Sequence, residues 1–214
     1  MRRLTHLLLS PPSRFVRLLL GEKRLSYDSV TPEDAHGHLP LLEDSDGTRC
    51  TGVWAIVDHL EGAYEDNPMV PEDAELRGEA LRLLDWAMGP LHDSVTRKVV
   101  YEKAAQRVTG APGGQAPSME TVRQGREALK PALKLLGEAA DLHGYLVARD
   151  CTLGDLAVAA HLSALDYFGE VPWQDFSSAA EWYLRIKSRP SFRALLADRV
   201  PGQPPVSHYG QLDD

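Results

Sequence analysis

Residues 4–9 (LTHLLL) form an apolar run of strand length, and Ser10-Pro11-Pro12-Ser13 separates it from RFVRLLLGEKR, where apolar residues recur at helical spacing. Serine is a favoured N-cap, and proline is tolerated in a first helical turn because amides there have no intrahelical acceptor. The segment therefore reads as strand, turn, helix. LSYDSV alternates as a strand does, and the turn-rich TPEDAHGH follows. LPLLED and a second short strand around TRCTG flank Ser45-Asp46-Gly47 as a hairpin would. Helical spacing returns in VWAIVDHLEGAY, giving the order β-α-β-loop-β-β-α over residues 1–66.

Residues 67–72 read as a linker. Over 73–200 every periodic segment is helical. Ala74–Met88 is amphipathic and is expected to end at Gly89-Pro90, with a further helix over Leu91–Val108. APGGQAP (111–117) reads as a connection, and Met119–Leu142 as a helix bent at Pro131. In Cys151–Phe168, Thr152 and Asp155 have capping-box spacing, and Cys151 and Leu156 stand where a hydrophobic staple would close over it. LAVAAHLSALDYF is apolar nearly all round, which predicts a helix buried on every side. Two more helices are expected near Ser177–Ser188 and Ser191–Arg199. Residues 201–214 contain three prolines and two glycines and are expected to form a tail without regular structure.

Charge and composition narrow the function. A formal net charge of -8 over 214 residues argues against nucleic acid as a partner, since phosphate binding demands clustered cations. Arg14, Arg17, Lys23 and Arg24 do gather, but among leucines at helical spacing, which reads as a solvated helix face. Cys50 and Cys151 lie far apart without CxxC or Cys/His companions, so no zinc site or disulfide framework is expected, in keeping with a reducing cytoplasm. His36 and His38 sit in a Pro/Asp/Gly-rich loop without further ligands, and no metal is expected there. No apolar stretch approaches about 18 residues, so membrane insertion is not expected either.

In their order along the chain, LSPPSRFVRLLLGEK, Leu39-Pro40, CTLGDLAVAAHLSALDYF and WYLRIKSRPSFRALLADR resemble the glutathione transferase superfamily. That resemblance implies a thioredoxin-like N-terminal domain packed on an all-helical C-terminal domain, and a homodimer. Only TPEDAHGH lies between Val30 and Leu39, where the superfamily has a helix and a loop, so the second helix of the small domain is expected to be shortened or lost. DYFGEVPW, the closing helices and the tail PPVSHYGQLDD are similar to a branch of transferase-like cell-division proteins of alphaproteobacteria that bind the tubulin homologue FtsZ. By that resemblance FtsZ filaments are the expected partner, with His208, Tyr209, Leu212 and Asp213 as contacts. The last residue, Asp214, departs from that branch, which has an aromatic residue there.

The superfamily's chemistry asks three things of the small domain. A hydroxyl or thiol at the start of the first helix stabilises the glutathione thiolate, helped by the helix's partial positive charge. Ser10, a turn before Ser13, can supply it, or it can serve as an ordinary N-cap. The backbone at Leu39-Pro40, a cis-proline by resemblance, would pair with the cysteinyl unit. An acidic-Ser pair should hold the γ-glutamyl end, but its positions are Gly52 and Val53, which offer no side-chain partner. Each missing charge-assisted bond is worth about 1.5–3 kcal/mol, or one to two orders of magnitude in affinity. The expectation is thus a non-enzymatic binding protein without a cofactor. The alternative is a glutathione transferase or peroxidase acting through Ser10, and an apolar ligand carrier is a weaker third option.

Overall fold

The first strand is shorter than its apolar run because only its opening residues pair. The computed structural model describes residues 1–32, 38–104 and 116–211. β1 (Arg3–Thr5) runs parallel to β2 (Asp28–Val30) and antiparallel to β3 (Leu41–Glu43), which pairs with β4 (Arg49–Thr51). The sheet order is therefore β2-β1-β3-β4. Register places Leu4 opposite Leu42 and Leu42 opposite Cys50, and all three are buried on one face. Past Thr5 the chain turns towards α1 (Pro11–Glu22), burying Leu7 and Leu9 on the way. α2 (Val53–Ala63) closes this half against α1 and β4. The expectation of a shortened second helix rests largely on 33–37, which lie outside the described residues, as does His36.

The solvated-face reading of α1 is overturned. Arg14 is 0% exposed, Arg17 and Lys23 are buried, and only Arg24 is exposed. The helix is enclosed because α6 (Leu153–Tyr167) and a 3-10 turn at Pro190–Phe192 of the helical half cover the side that periodicity assigns to water. Those guanidinium groups persist in the interior because they are paired. Arg17 meets Asp198 through both Nη1 and Nη2 at 2.8 Å, and Arg14 Nη1 lies 3.3 Å from the same carboxylate. Lys23 donates to Tyr64 O at 2.8 Å and pairs with Glu61 at 3.0 Å. Gly21 marks the closest approach, since a Cβ there would lie 2.9 Å from Ser191 Cα. Gly21→Ala is expected to cost about 1–3 kcal/mol in urea unfolding, because backbone would have to move. An unchanged midpoint would contradict this contact.

The helical half begins with α3 (Ala74–Trp86), capped by the Asp73 carboxylate on the Glu75 and Leu76 amides at 3.0 Å. The break expected at Gly89-Pro90 does not occur. The chain continues through ten residues of π-helix, Ala87–Thr96, into α4 (Arg97–Lys103). Widening to i→i+5 bonds, as from the Arg97 amide to His92 O, keeps the path helical around a proline that lacks its own amide. Residues 105–115, with most of APGGQAP, lie outside the described residues. α5 (Met119–His143) runs on through Pro131.

α6 is buried along its whole length, as its composition predicts. The Asp155 carboxylate reaches back to the Thr152 amide and hydroxyl at 2.9 Å, and it also accepts from Leu146 N and Trp182 Nε1. Cys151 is half-buried and Leu156 fully buried, both against the core. α7 (Ser177–Lys187) and α8 (Arg193–Leu196) complete the bundle. The expectation of a structureless tail is also overturned. Val200 bridges to Gln203, Ser207–Gly210 form a 3-10 turn, and Tyr209 is 0% exposed. Among the described residues no helix is long and apolar enough to cross a membrane.

Candidate functional site

Ser10 stands in extended conformation before α1, and its carbonyl accepts from the Arg14 amide at 2.9 Å. Its side chain makes no capping bond. The reason is local: Pro11 and Pro12 have no amide hydrogen, so the helix start loses two of the donors that a cap, or an incoming anion, would use. The Ser13 hydroxyl is already engaged, accepting from Leu7 N at 3.2 Å. It braces the turn between strand and helix.

Behind Ser10 lies a group that the sequence did not single out. Tyr101 of α4 adjoins Ser10; burial pushes its phenol above the ordinary value, opposed in part by the Ser10 hydroxyl. His92 from the π segment stands edge-on to Tyr101 at 5.3 Å between ring centroids and to His161 of α6 at 5.7 Å. His161 Nδ1 is 2.8 Å from Thr96 Oγ1. Among the described residues, His92 Nδ1 and His161 Nε2 have no hydrogen-bond partner. Burial lowers both imidazoles below the usual histidine range, so neither contributes a positive charge beside Ser10 at neutral pH. One signal was legible: His161 is the sole ionisable residue within the apolar stretch LAVAAHLSAL.

The second element is in place. Leu39-Pro40 is cis, and Pro40 O accepts the Gly52 amide at 2.8 Å, tying β3 to the start of α2. The third element is not. Gly52 occupies the N-cap with φ 84° and, among the described residues, nothing within 4 Å of where a Cβ would be, and buried Val53 follows. An open position with neither carboxylate nor hydroxyl cannot anchor an α-amino acid end. Trp54, next along, is 45% exposed.

A second polar cluster lies at the β3–β4 hairpin. Asp44, Asp46 and His59 stand close enough to suggest a cation. Asp44 is instead occupied by His59 Nε2 at 2.7 Å, Tyr64 OH at 2.8 Å and Arg2 at 2.8 Å, while Asp46 takes the Thr48 amide. Burial would raise Asp44, but bonds from His59 and Tyr64 outweigh it and hold the carboxyl at about 2. A groove of about 500 Å³ between Leu76, Leu83, Trp86, His143 and Leu146 lies on the helical half, away from Ser10.

His6 gives the site's surroundings a measurable pH response. Buried just past β1, with Nε2 2.7 Å from Ser29 Oγ, it is lowered to about 4, chiefly by burial and then by the Arg17 charge. A folded-state value below the unfolded 6.5 means stability is complete above pH 6.5 and declines as pH falls towards 4. The expected loss is on the order of 3 kcal/mol. Unfolding titrations on His6→Gln should show a flatter profile between pH 6.5 and 4; an identical slope would contradict the assignment.

The C-terminal contacts proposed from sequence divide. Tyr209 is enclosed by Arg14, Leu195 and Tyr167, so it is not a surface anchor. Its exclusion from solvent has a clear cause, since it completes the hydrogen bonding of the buried Arg14 guanidinium. The His208 side chain is 45% exposed and lies 3.3 Å from Asp166. Leu212 and Asp213 lie outside the described residues.

Against known proteins, residues 4–68 match the family described as glutathione S-transferase, N-terminal domain. The chain is 39% identical over 226 residues to FtsZ-localized protein A of Caulobacter vibrioides, covering 99% of this chain and 98% of that one. Among solved structures, a glutathione S-transferase from Rhodospirillum rubrum F11 superposes with a TM-score of 0.93 at 37% identity and full coverage of both chains. FzlA from C. crescentus superposes with a TM-score of 0.92 at 37% identity, over 100% of this chain and 99% of that one. A relation of this extent, joined to a four-stranded mixed sheet and a helical half, places the chain in the family of FtsZ-localized protein A, on the glutathione S-transferase fold.

Proposed function

We propose that this chain binds filaments of FtsZ in the cytoplasm as a homodimer, through its C-terminal segment, and does not conjugate glutathione. The observation that carries this reading is the 39% identity, running the length of both chains, to a protein named for its localisation to FtsZ. Gly52 and Val53 support its negative half, because the γ-glutamyl end of glutathione would find no ionic partner there. Two copies per dimer would raise avidity on a polymer through effective concentration, without strong single contacts. Sedimentation with assembled FtsZ tests it: saturable pelleting that weakens when residues 212–214 are removed is expected, and no pelleting of the full chain would refute it.

A second reading keeps transferase or peroxidase chemistry at Ser10. It is favoured by the uncapped hydroxyl beside Tyr101. Calorimetric titration with millimolar glutathione separates the two. No saturable heat is expected, and a binding isotherm would reverse the ranking.

A further inference from the structure

Residues 200–211 cross the helical half and are fastened along their length. The Val200 amide donates to the Tyr167 hydroxyl at 3.0 Å, and that hydroxyl donates to Gln203 O at 2.8 Å. Val206 donates its amide to Tyr167 O at 3.1 Å, and its side chain lies against Gly169, where a Cβ would come within 3.0 Å. The His208 carbonyl accepts from Lys187 Nζ at 3.4 Å. The deepest fastening is Tyr209. Its hydroxyl accepts from Arg14 Nη2 and donates to Leu195 O at 3.1 Å, while its ring stands edge-on to Tyr167 at 5.2 Å.

Arg14 belongs to the thioredoxin-like half, and its other hydrogens go to Ser163 Oγ at 2.8 Å, Leu8 O at 3.0 Å and Asp198. The Tyr209 phenol therefore joins the C-terminal segment to α1, α6 and α8 at one point. An anchor that reaches out to a partner would expose its ring. This one is sealed, and half-exposed His208 is presented beside it.

We propose that Tyr209 is a positioning residue for partner binding: held by Arg14 and Leu195, it fixes the C-terminal segment before FtsZ arrives instead of touching FtsZ. The inference rests on the FtsZ reading above. A segment already ordered does not lose backbone and side-chain freedom at the moment of binding, so affinity depends on how firmly the segment is held. Pro204 and Pro205 add to this by fixing φ in the approach to the turn.

The test compares wild type, Tyr209→Phe, Tyr209→Ala and Val206→Ala in two measurements, amide hydrogen exchange over 200–211 and sedimentation with assembled FtsZ. Tyr209→Phe keeps the ring and removes the phenol's bonds. Val206→Ala loosens the segment without touching Arg14, so it remains informative if Tyr209→Ala fails to fold. Faster exchange over 200–211, with α6 amides still protected, should go with weaker pelleting in the same rank order. Tyr209→Ala should weaken pelleting at least about tenfold, the equivalent of ordering one or two side chains on binding. Variants that loosen the segment and pellet as wild type does would overturn the positioning role and leave the FtsZ reading standing. A wild-type chain that does not pellet would overturn both.

Discussion

Asp198→Ala is expected to lower the free energy of unfolding by about 3–5 kcal/mol, because it strands two buried guanidinium groups at once. Arg14 is 0% exposed and Arg17 nearly so, and both point at this carboxylate. Arg17 cannot escape by losing its proton. Burial favours discharge of Arg17, yet the Asp198 hydrogen bonds and charge outweigh it and raise its pKa above the usual arginine value. Arg17 would suffer most, since its remaining partners are Ala194 O and the Tyr27 hydroxyl. Arg14 keeps Ser163, Leu8 O and Tyr209. Asp198→Leu combined with Arg17→Met should recover part of the loss, since it removes the Arg17 charge and leaves Arg14 alone without its carboxylate. Urea unfolding of the single and double variants measures this, and a single-variant loss below about 1 kcal/mol would mean the network is solvated in solution.

Asp155→Ala should be nearly as severe, at about 3–4 kcal/mol, for a different reason. One carboxylate accepts from Leu146 N, Thr152 N, Thr152 Oγ1 and Trp182 Nε1, joining the loop before α6, its cap and α7. Alanine leaves four buried donors without an acceptor. Thr152→Ala removes only one of the donors and should cost about 1 kcal/mol, the usual value of a cap. The ratio is diagnostic. If thermal unfolding gives the two substitutions equal effects, Asp155 acts as a helix cap alone and the link to Trp182 carries no weight.

The contrast between these aspartates shows what the sequence could convey. Thr152 and Asp155 are three residues apart, and a capping box is a local pattern with a fixed spacing, so that helix start was legible at once. The strands β1 and β2 and the buried α6 were legible for the same reason, as a short apolar run, an alternation and a stretch with no polar face. Asp198 lies 181 residues from Arg17, and no period links them. Periodicity assigned Arg14 and Arg17 to water because it can say which residues share a helix face but not what covers that face. Tyr209 failed in the same way: prolines near it suggested a loose end, and its burial follows from Arg14, nearly 200 residues earlier. Gly89-Pro90 misled differently, because the chain passes Pro90 within a π segment and stays helical. At the candidate glutathione site the missing acidic-Ser pair was visible as Gly52-Val53, whereas Tyr101, His92 and His161 meet Ser10's surroundings only through tertiary packing.

The burial of Tyr209 also alters how the partner reading should be tested. Cutting the chain before residue 204 would remove a core side chain along with any contact, whereas cutting after Gln211 leaves Tyr209, and with it the Arg14 site, intact. The most direct measurement is therefore sedimentation of the full chain with assembled FtsZ, with and without millimolar glutathione. Saturable pelleting that is indifferent to glutathione is the predicted result. Absence of pelleting, or pelleting that appears or vanishes with glutathione, would contradict the account of a transferase fold kept as a platform for a protein partner.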